Sequence, residues 1–199
     1  MQLDLPTREF GGYIFDLDGT LIDSMPVHYR AWDRAMQEVG IPGTLDEDLF
    51  YSLGGVPTRR VAELMGIHYG ITVDADAVYH RKEALYLELV TEVRLIEPVV
   101  AIARRVAATL PHAIATGGTP DVALPSLEAA GLRALFDIVV TPLDVAPGRG
   151  KPAPDMFLLA AERMKVAPAD CIVFEDAIPG IEAARAAGMT VVRVPSRVV

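Results

Sequence analysis

The sequence predicts an α/β fold built on a doubly wound, mostly parallel sheet. Short apolar runs alternate with helical stretches from residue 98 onward, and another apolar run occupies residues 12–15. Between them, from residue 24 to residue 96, the sequence favours one helix after another. Alternating strands and helices form parallel sheets with right-handed crossovers. We therefore expect one sheet that is interrupted, after its first strand, by a helical insertion.

The predicted core elements are bounded by residues that start and stop helices. Pro120 begins one helix and Gly131 ends it, and Gly188 ends another, because proline fits the first helical turn and glycine the position after the last. The hydrophobic pattern predicts strands at residues 12–15, 112–116, 137–141, 171–174 and 190–194, and helices at residues 98–110, 120–131, 154–165 and 179–187.

The insertion begins with a helix for which Ser24 is the expected N-cap, Pro26 an early helical residue and Gly40 the stop. Further helices are expected after Pro57, to about residue 65, and from about residue 74 to residue 92. No part of the insertion is predicted to be a strand. We expect residues 1–23 and 97–199 to form a core domain and residues 24–96 to form the inserted domain.

Composition narrows the classes of function. The chain has 199 residues, 51% of them hydrophobic, and a formal net charge of −9, which argues against binding to nucleic acid. No apolar run of about 18 residues and no signal-peptide pattern occur, so we expect no membrane partner and a cytoplasmic location. The single cysteine, Cys171, excludes an internal disulfide and is expected to be buried in a strand. We expect a monomer or a weak dimer.

Polar residues follow four of the predicted strands. The first strand leads into the sequence DLDGT, the second into TGGT, the third into a loop with GKP and the fourth into ED. Because the carboxyl ends of parallel strands meet at one edge of the sheet, we expect these residues to converge. The residues concerned are Asp16, Asp18, Thr116, Lys151, Glu175 and Asp176.

This set of residues suits phosphoryl transfer. One carboxylate can act as a nucleophile while its neighbour moves protons, and a lysine and a hydroxyl can hold phosphoryl oxygens. Four carboxylates at one edge would raise one another's pKa, and a divalent cation beside Lys151 would remove that repulsion. The sequence therefore predicts a metal-dependent site at this edge.

These motifs, in this order, resemble the four motifs of the haloacid dehalogenase superfamily. The stretches GKPAPD at residues 150–155, VFEDA at 173–177 and DS…H…AW at 23–32 resemble its beta-phosphoglucomutase-like branch. The stretches GVPT at 55–58 and TGG at 116–118 are similar to those of small sugar-phosphate phosphatases in that branch, such as fructose-1-phosphate phosphatases. The resemblance covers nearly the whole chain and implies a Rossmann-like core with a helical cap.

The resemblance implies a role for each core motif. Asp16 would attack phosphorus and form an aspartyl-phosphate, and Asp18 would protonate the leaving group and then deprotonate water. The Thr116 hydroxyl and the N–H of Gly117, with Gly118 beside it, would hold phosphoryl oxygens, and Lys151 would neutralise them. Mg²⁺ would be bound by Asp16, by the backbone carbonyl of Asp18, by Asp176, and by Glu175 directly or through water.

Two cap residues are further candidates for binding the small phosphorylated metabolite. His28 lies one turn before Trp32 and is either packed under the cap or positions Asp18. Arg60, beside Arg59 at the start of an inserted helix, either reaches the phosphate or a sugar hydroxyl, or is solvated at the surface.

Several functions use the same motifs. A beta-phosphoglucomutase would need additional cationic groups in the cap, but the mutase pattern's lysine falls at Gly54 and its phosphate-binding arginine at Thr58. These departures favour hydrolysis. A haloacid dehalogenase needs neither Mg²⁺ nor a second aspartate, so Asp18 argues against it. A phospho-receiver module lacks a built-in acid such as Asp18.

Overall fold

The computed structural model describes residues 3–196 and contains one five-stranded parallel sheet with helices on both faces. The strand order is β5-β4-β1-β6-β7, and each neighbouring pair is parallel. This confirms the predicted α/β class. The strands are β1 Gly12–Phe15, β2 Ile22–Asp23, β3 Arg94–Leu95, β4 His112–Ala115, β5 Val139–Val140, β6 Cys171–Glu175 and β7 Thr190–Arg193.

Eight α-helices accompany these strands in the described part of the chain. The insertion contributes α1 Met25–Glu38, α2 Glu47–Ser52, α3 Thr58–Tyr69 and α4 Ala75–Leu89. The remainder contributes α5 Glu97–Ala107, α6 Pro120–Ala129, α7 Asp155–Met164 and α8 Ile178–Ala186. None of the helices within residues 3–196 has the length and apolar character needed to cross a membrane.

The sheet is buried on both faces because side chains of a strand alternate between them. In β1, Phe15 packs into a cluster with residues of α5 and α6, whereas Ile14 packs into a second cluster with residues of α7 and α8. Both side chains are fully buried, and β1 is the central strand. The residue that follows β1 therefore emerges at the middle of the sheet edge.

Helices α1–α4, called the cap below, build their own apolar clusters. Trp32 and Met36 of α1 pack with Phe50 of α2 and Met65 of α3. A second cluster joins α1 to Tyr86 of α4 and reaches Val122 of α6, which lies beside the sheet. The division of the chain at residues 23/24 and 96/97 stays a prediction.

Three elements of this region differ from the predicted pattern. Strands β2 and β3 pair antiparallel, with Ile22 opposite Leu95 and Asp23 opposite Arg94, so the prediction that residues 24–96 contain no strand is wrong. Each strand is only two residues long, too short to leave a period-two signal. Helix α2 was also not predicted as a separate element; Asp46 caps it by accepting a hydrogen bond from Leu49 N at 2.9 Å.

Candidate active site

The loop after β1 places two aspartates at the edge of the sheet. The N–H of Asp16 donates to Phe174 O of β6 at 3.0 Å, which fixes the end of the strand. The chain then turns back on itself, and Gly19 adopts a φ of +82°. A Cβ at Gly19 would overlap the carboxylate of Asp176. Glycine is required here both for the left-handed backbone and for this close approach.

Lys151 binds two carboxylates at this edge. Its Nζ donates to Asp16 Oδ1 at 2.6 Å and to Glu175 Oε2 at 2.7 Å. Burial opposes the charge of Lys151, but the adjacent carboxylates of Asp16 and Glu175 outweigh it and raise the pKa of the ammonium group. Lys151 is therefore a fixed cation at a buried anionic site.

Three carboxylates form a candidate metal centre. One ligand oxygen each from Asp16, Glu175 and Asp176 lies within 4.8 Å of the others. Burial and then the charge of Asp16 raise the pKa of Glu175 to about 8 and that of Asp176 to about 7. Burial also raises the pKa of Asp16, against the effect of Lys151. Hard carboxylate oxygens whose ionisation is disfavoured by burial and by one another's charge fit a bound divalent cation.

Asp18 has a different set of partners, which come from the start of α1. Ser24 Oγ donates to Asp18 Oδ1 at 2.6 Å, and His28 Nε2 lies 3.5 Å from the same oxygen. Burial would raise the pKa of Asp18, but the hydrogen bonds from His28 and Ser24 and the charges nearby outweigh it and lower the pKa. Ser24 occupies the predicted N-cap position, yet its hydroxyl serves Asp18 instead of the helix.

His28 is itself oriented by the cap. Lys82 of α4 is buried, and its Nζ lies 3.0 Å from His28 Nδ1. Since an ammonium group can only donate, Nδ1 is the acceptor and Nε2 carries the proton towards Asp18. Burial and then the charge of Lys82 lower the pKa of His28. The ring also stacks on Tyr86, with 4.0 Å between the centroids.

Lys82 and Tyr86 were not predicted as site residues. In the sequence, Lys82 is one of several charged residues in α4, and no local pattern shows that this one is buried. The one available signal is the spacing of Lys82 and Tyr86, which places both on the same helical face.

The loop after β4 provides candidate phosphate-binding groups. Thr116 is buried, and its Oγ1 accepts a hydrogen bond from Gly118 N at 3.1 Å. A Cβ on Gly118 would lie 3.8 Å from Asp18 Oδ2, so this loop approaches the loop after β1. The structure thus brings together residues from four strand ends.

A cleft of about 660 Å³ lies between this sheet edge and the cap. Its lining includes Asp16, Asp18, His28, Thr116, Gly117, Gly118, Lys151, Glu175 and Asp176.

Arg60, in contrast, is not one of the cleft-lining residues. Its Nη1 pairs with Glu63 of the same helix at 2.6 Å. Thr58 and Val61 line the cleft, and Arg59 and Arg60 lie between them on the side of α3 that is exposed to solvent. Of the two positions considered for Arg60, the packing of α3 thus gives the one at the surface, and Arg59 pairs with Asp76.

A family model for haloacid dehalogenase-like hydrolases matches residues 10–188. The chain belongs to this family. Fructose-1-phosphate phosphatase YqaB of Escherichia coli K12 is 39% identical over 94% of this chain and 97% of its own. Beta-phosphoglucomutase of Bacillus subtilis 168 is 31% identical over 91% of this chain and 81% of its own. The resemblance inferred from the motifs is confirmed.

Solved structures show the same fold. The crystal structure of CbbY from Rhodobacter sphaeroides in complex with phosphate matches with a TM-score of 0.80 and 22% identity, over 92% of this chain and 84% of that one. At this level of identity, the match concerns the fold alone.

Proposed function

We propose that this protein is a Mg²⁺-dependent phosphatase that hydrolyses a small sugar phosphate through an aspartyl-phosphate on Asp16. One observation carries the proposal: Asp16 and Asp18 share a loop and a cleft, yet one is bound by a lysine and the other by neutral donors. Neighbouring acids in different environments are suited to different chemical roles. The name of the Escherichia coli relative, a fructose-1-phosphate phosphatase, supports this substrate class.

The first step forms a bond between an Asp16 oxygen and phosphorus, and the bond from phosphorus to the leaving oxygen breaks. Lys151, 2.6 Å from Asp16, holds the nucleophile in place and faces the phosphoryl group. The Thr116 hydroxyl and the N–H of Gly117 donate hydrogen bonds to phosphoryl oxygens. Positioning and charge neutralisation supply most of the catalysis in such reactions.

Asp18 moves the protons in both steps. In the free protein its pKa is lowered, so the carboxylate is ionised. Arrival of an anionic phosphate raises that pKa, so Asp18 takes up a proton from solvent as the substrate binds and then gives this proton to the leaving oxygen. Ionised again, Asp18 takes a proton from the water that attacks the aspartyl-phosphate, and phosphate is released from Asp16.

The acidic cluster would hold Mg²⁺ through Asp16, Asp176 and the carbonyl of Asp18, with Glu175 as a direct or water-mediated ligand. When bound, the ion supplies positive charge that offsets the charge on the phosphoryl oxygens. Thr20 Oγ1 donates to Asp176 Oδ1 at 3.3 Å and orients that ligand. The cap, for which we propose residues 24–96, excludes bulk water from the cleft.

The cleft supports hydrolysis over the mutase reaction. Of the lysines and arginines in residues 3–196, only Lys82 and Lys151 line it. Lys151 is bound to the core carboxylates, and Lys82 contacts His28 and Glu83. Gly54 and Thr58, at the positions of the mutase pattern's lysine and arginine, also line the cleft. These two positions therefore offer no cation to a second phosphate group.

The test is phosphate release from a panel of sugar phosphates with Mg²⁺ and with a chelator. We expect release with Mg²⁺ and loss of activity after chelation. Beta-glucose 1-phosphate is included, with glucose 6-phosphate measured in parallel. Conversion to glucose 6-phosphate with little free phosphate would identify a mutase, and full activity in chelated buffer would contradict the role of the metal.

A further inference from the structure

Glu83 is a cleft residue that the catalytic steps above do not use. It follows Lys82 in α4 and lines the cleft. Its Oε1 lies 3.3 Å from Lys82 Nζ. Its Oε2 is shielded from solvent and has no hydrogen-bond partner among residues 3–196. A buried carboxylate oxygen without a donor is costly, and most buried polar atoms in proteins are paired.

The position of Glu83 suggests what would supply the missing donor. The phosphoryl end of a substrate is held at the sheet edge, so the part of a substrate that contacts the cap is the leaving group. Lys82, His28 and Asp18 connect Glu83 to the reaction centre through contacts of 3.3, 3.0 and 3.5 Å. The end torsion of a glutamate is broad, so a small rotation turns the carboxylate towards a group in the cleft.

The chemistry of the Lys82–Glu83 pair selects among leaving groups. A carboxylate accepts hydrogen bonds and an ammonium group donates them, whereas a hydroxyl does both. Adjacent hydroxyls of a polyol therefore match the pair. A second anionic group would be repelled by Glu83, and an ammonium group would be repelled by Lys82.

We propose that Glu83 determines substrate specificity by accepting a hydrogen bond from a hydroxyl of a neutral, polyhydroxylated leaving group. This inference rests on the proposed phosphatase function. The contact between Glu83 and Lys82 suggests another role, in which Glu83 only holds Lys82 and, through His28, Asp18. The two roles differ in what they predict, because a change at Asp18 affects every substrate, whereas a lost hydroxyl contact affects only substrates that carry the hydroxyl.

The experiment compares fructose 1-phosphate with propyl phosphate, an alkyl ester whose leaving group also needs a proton but has no further hydroxyl. We expect Glu83→Ala to lower kcat/KM for fructose 1-phosphate by about 10- to 100-fold relative to propyl phosphate, the scale of one hydrogen bond to a charged group. Glu83→Gln keeps the shape and one acceptor, so a smaller selective loss is expected. Fructose 1,6-bisphosphate, with its anionic leaving group, should gain relative to fructose 1-phosphate in both variants.

Glu88→Ala is the matched control, since Glu88 lies on the same helix with a side chain that is 52% exposed and pairs with Arg34. The ratio of its kcat/KM values for the two monophosphates should equal that of the wild type. Unfolding curves establish that all variants fold. An equal loss on both monophosphates, or no loss, overturns the inference, as does a wild type that cleaves propyl phosphate but not fructose 1-phosphate. If the wild type with Mg²⁺ cleaves neither ester, the proposed function fails, and the inference fails with it.

Discussion

Asp16 and Asp18 stand two residues apart, but their partners come from two different regions of the molecule. Asp16 is bound by Lys151, in the loop after β5, and lies beside Glu175 and Asp176, at the end of β6. Asp18 is bound by Ser24 and His28, at the start of the cap. The pKa of Asp16 is raised and that of Asp18 is lowered. One loop thus yields two acids of different character, because its neighbours differ.

A movement of the cap would also affect the two regions differently. Glu175 and Asp176 lie at the end of β6 in the same sheet, and Lys151 lies in the loop after β5, so none of these partners of Asp16 belongs to the cap. The orientation of His28 depends on Lys82, which lies in a separate helix of the cap. A displacement of the cap would therefore disturb Asp18, the proposed proton carrier, and leave Asp16, the proposed nucleophile, in place. Closure over a substrate is one way to couple binding to catalysis.

The largest expected effect is the loss of the proposed nucleophile on the sheet side. Asp16→Asn should lower the rate of phosphate release by about 10⁴-fold or more, the scale seen when a covalent nucleophile is removed. The amide is too weak a nucleophile to attack phosphorus. Initial rates measure the loss, and circular dichroism checks that the fold is retained.

The control for this variant is Asp23→Asn, an exposed aspartate of β2. It makes the same chemical change close by and should keep the wild-type rate. A near-normal rate for Asp16→Asn would show that Asp16 is not the nucleophile. The assignment of different roles to the two acids would then fail.

A smaller effect is expected on the cap side. Asp18→Asn should lower turnover by about 10²- to 10⁴-fold, the usual contribution of general acid–base catalysis. With 4-nitrophenyl phosphate the leaving group needs little protonation, so the first step should survive while hydrolysis of the aspartyl-phosphate slows. Rapid mixing should then show a burst of nitrophenol followed by slow turnover.

A missing burst in Asp18→Asn, with both steps equally slow, would mean that Asp18 also supports the attack by Asp16. The two acids would then not have separate roles. An unchanged rate would instead show that another group moves the protons.

The sheet side of the site could be predicted from the sequence for a simple physical reason. Except for Lys151, which lies in the loop beyond β5, its residues end or directly follow a buried apolar run, and parallel strands bring their ends to one edge. The apolar pattern that predicts each strand is local in the sequence, and the parallel topology then brings the strand ends together. Asp16, Thr116 and Glu175 could therefore be placed without knowing any side-chain contact.

The cap side could not be predicted in the same way. On a helix each residue is turned by about 100° from the one before, so the packing of the helix decides which side chains reach the cleft. Arg60 and Lys82 are both charged residues of cap helices, and packing exposes the first and buries the second. Strands β2 and β3 were missed because pairs of two residues have no periodicity.

The smallest expected effect is on stability, and it arises from the carboxylates at the sheet edge. The pKa of Glu175 is raised from 4.5 to about 8 and that of Asp176 from 3.8 to about 7. At pH values between the usual pKa and the raised pKa of each group, the folded, metal-free protein binds more protons than the unfolded chain. The free energy of unfolding should therefore fall as the pH rises from about 4.5 to about 8. Asp18 has a lowered pKa, so its contribution is present above its usual value of 3.8 and is lost only in acid.

Mg²⁺ should reverse this trend, because it binds the deprotonated carboxylates. At pH 8 and about 100 times its Kd, the ion should raise Tm by about 5–10 °C, and at pH 5.5 by clearly less. Thermal unfolding with Mg²⁺ and with a chelator at both pH values measures the difference. Asp176→Asn should reduce the effect of Mg²⁺ and flatten the pH dependence, whereas Asp23→Asn should leave both unchanged. A Tm in chelator that rises from pH 5.5 to pH 8 would show that the crowding of carboxylates at the sheet edge does not limit stability, and the contrast between the two sides would then rest on catalysis alone.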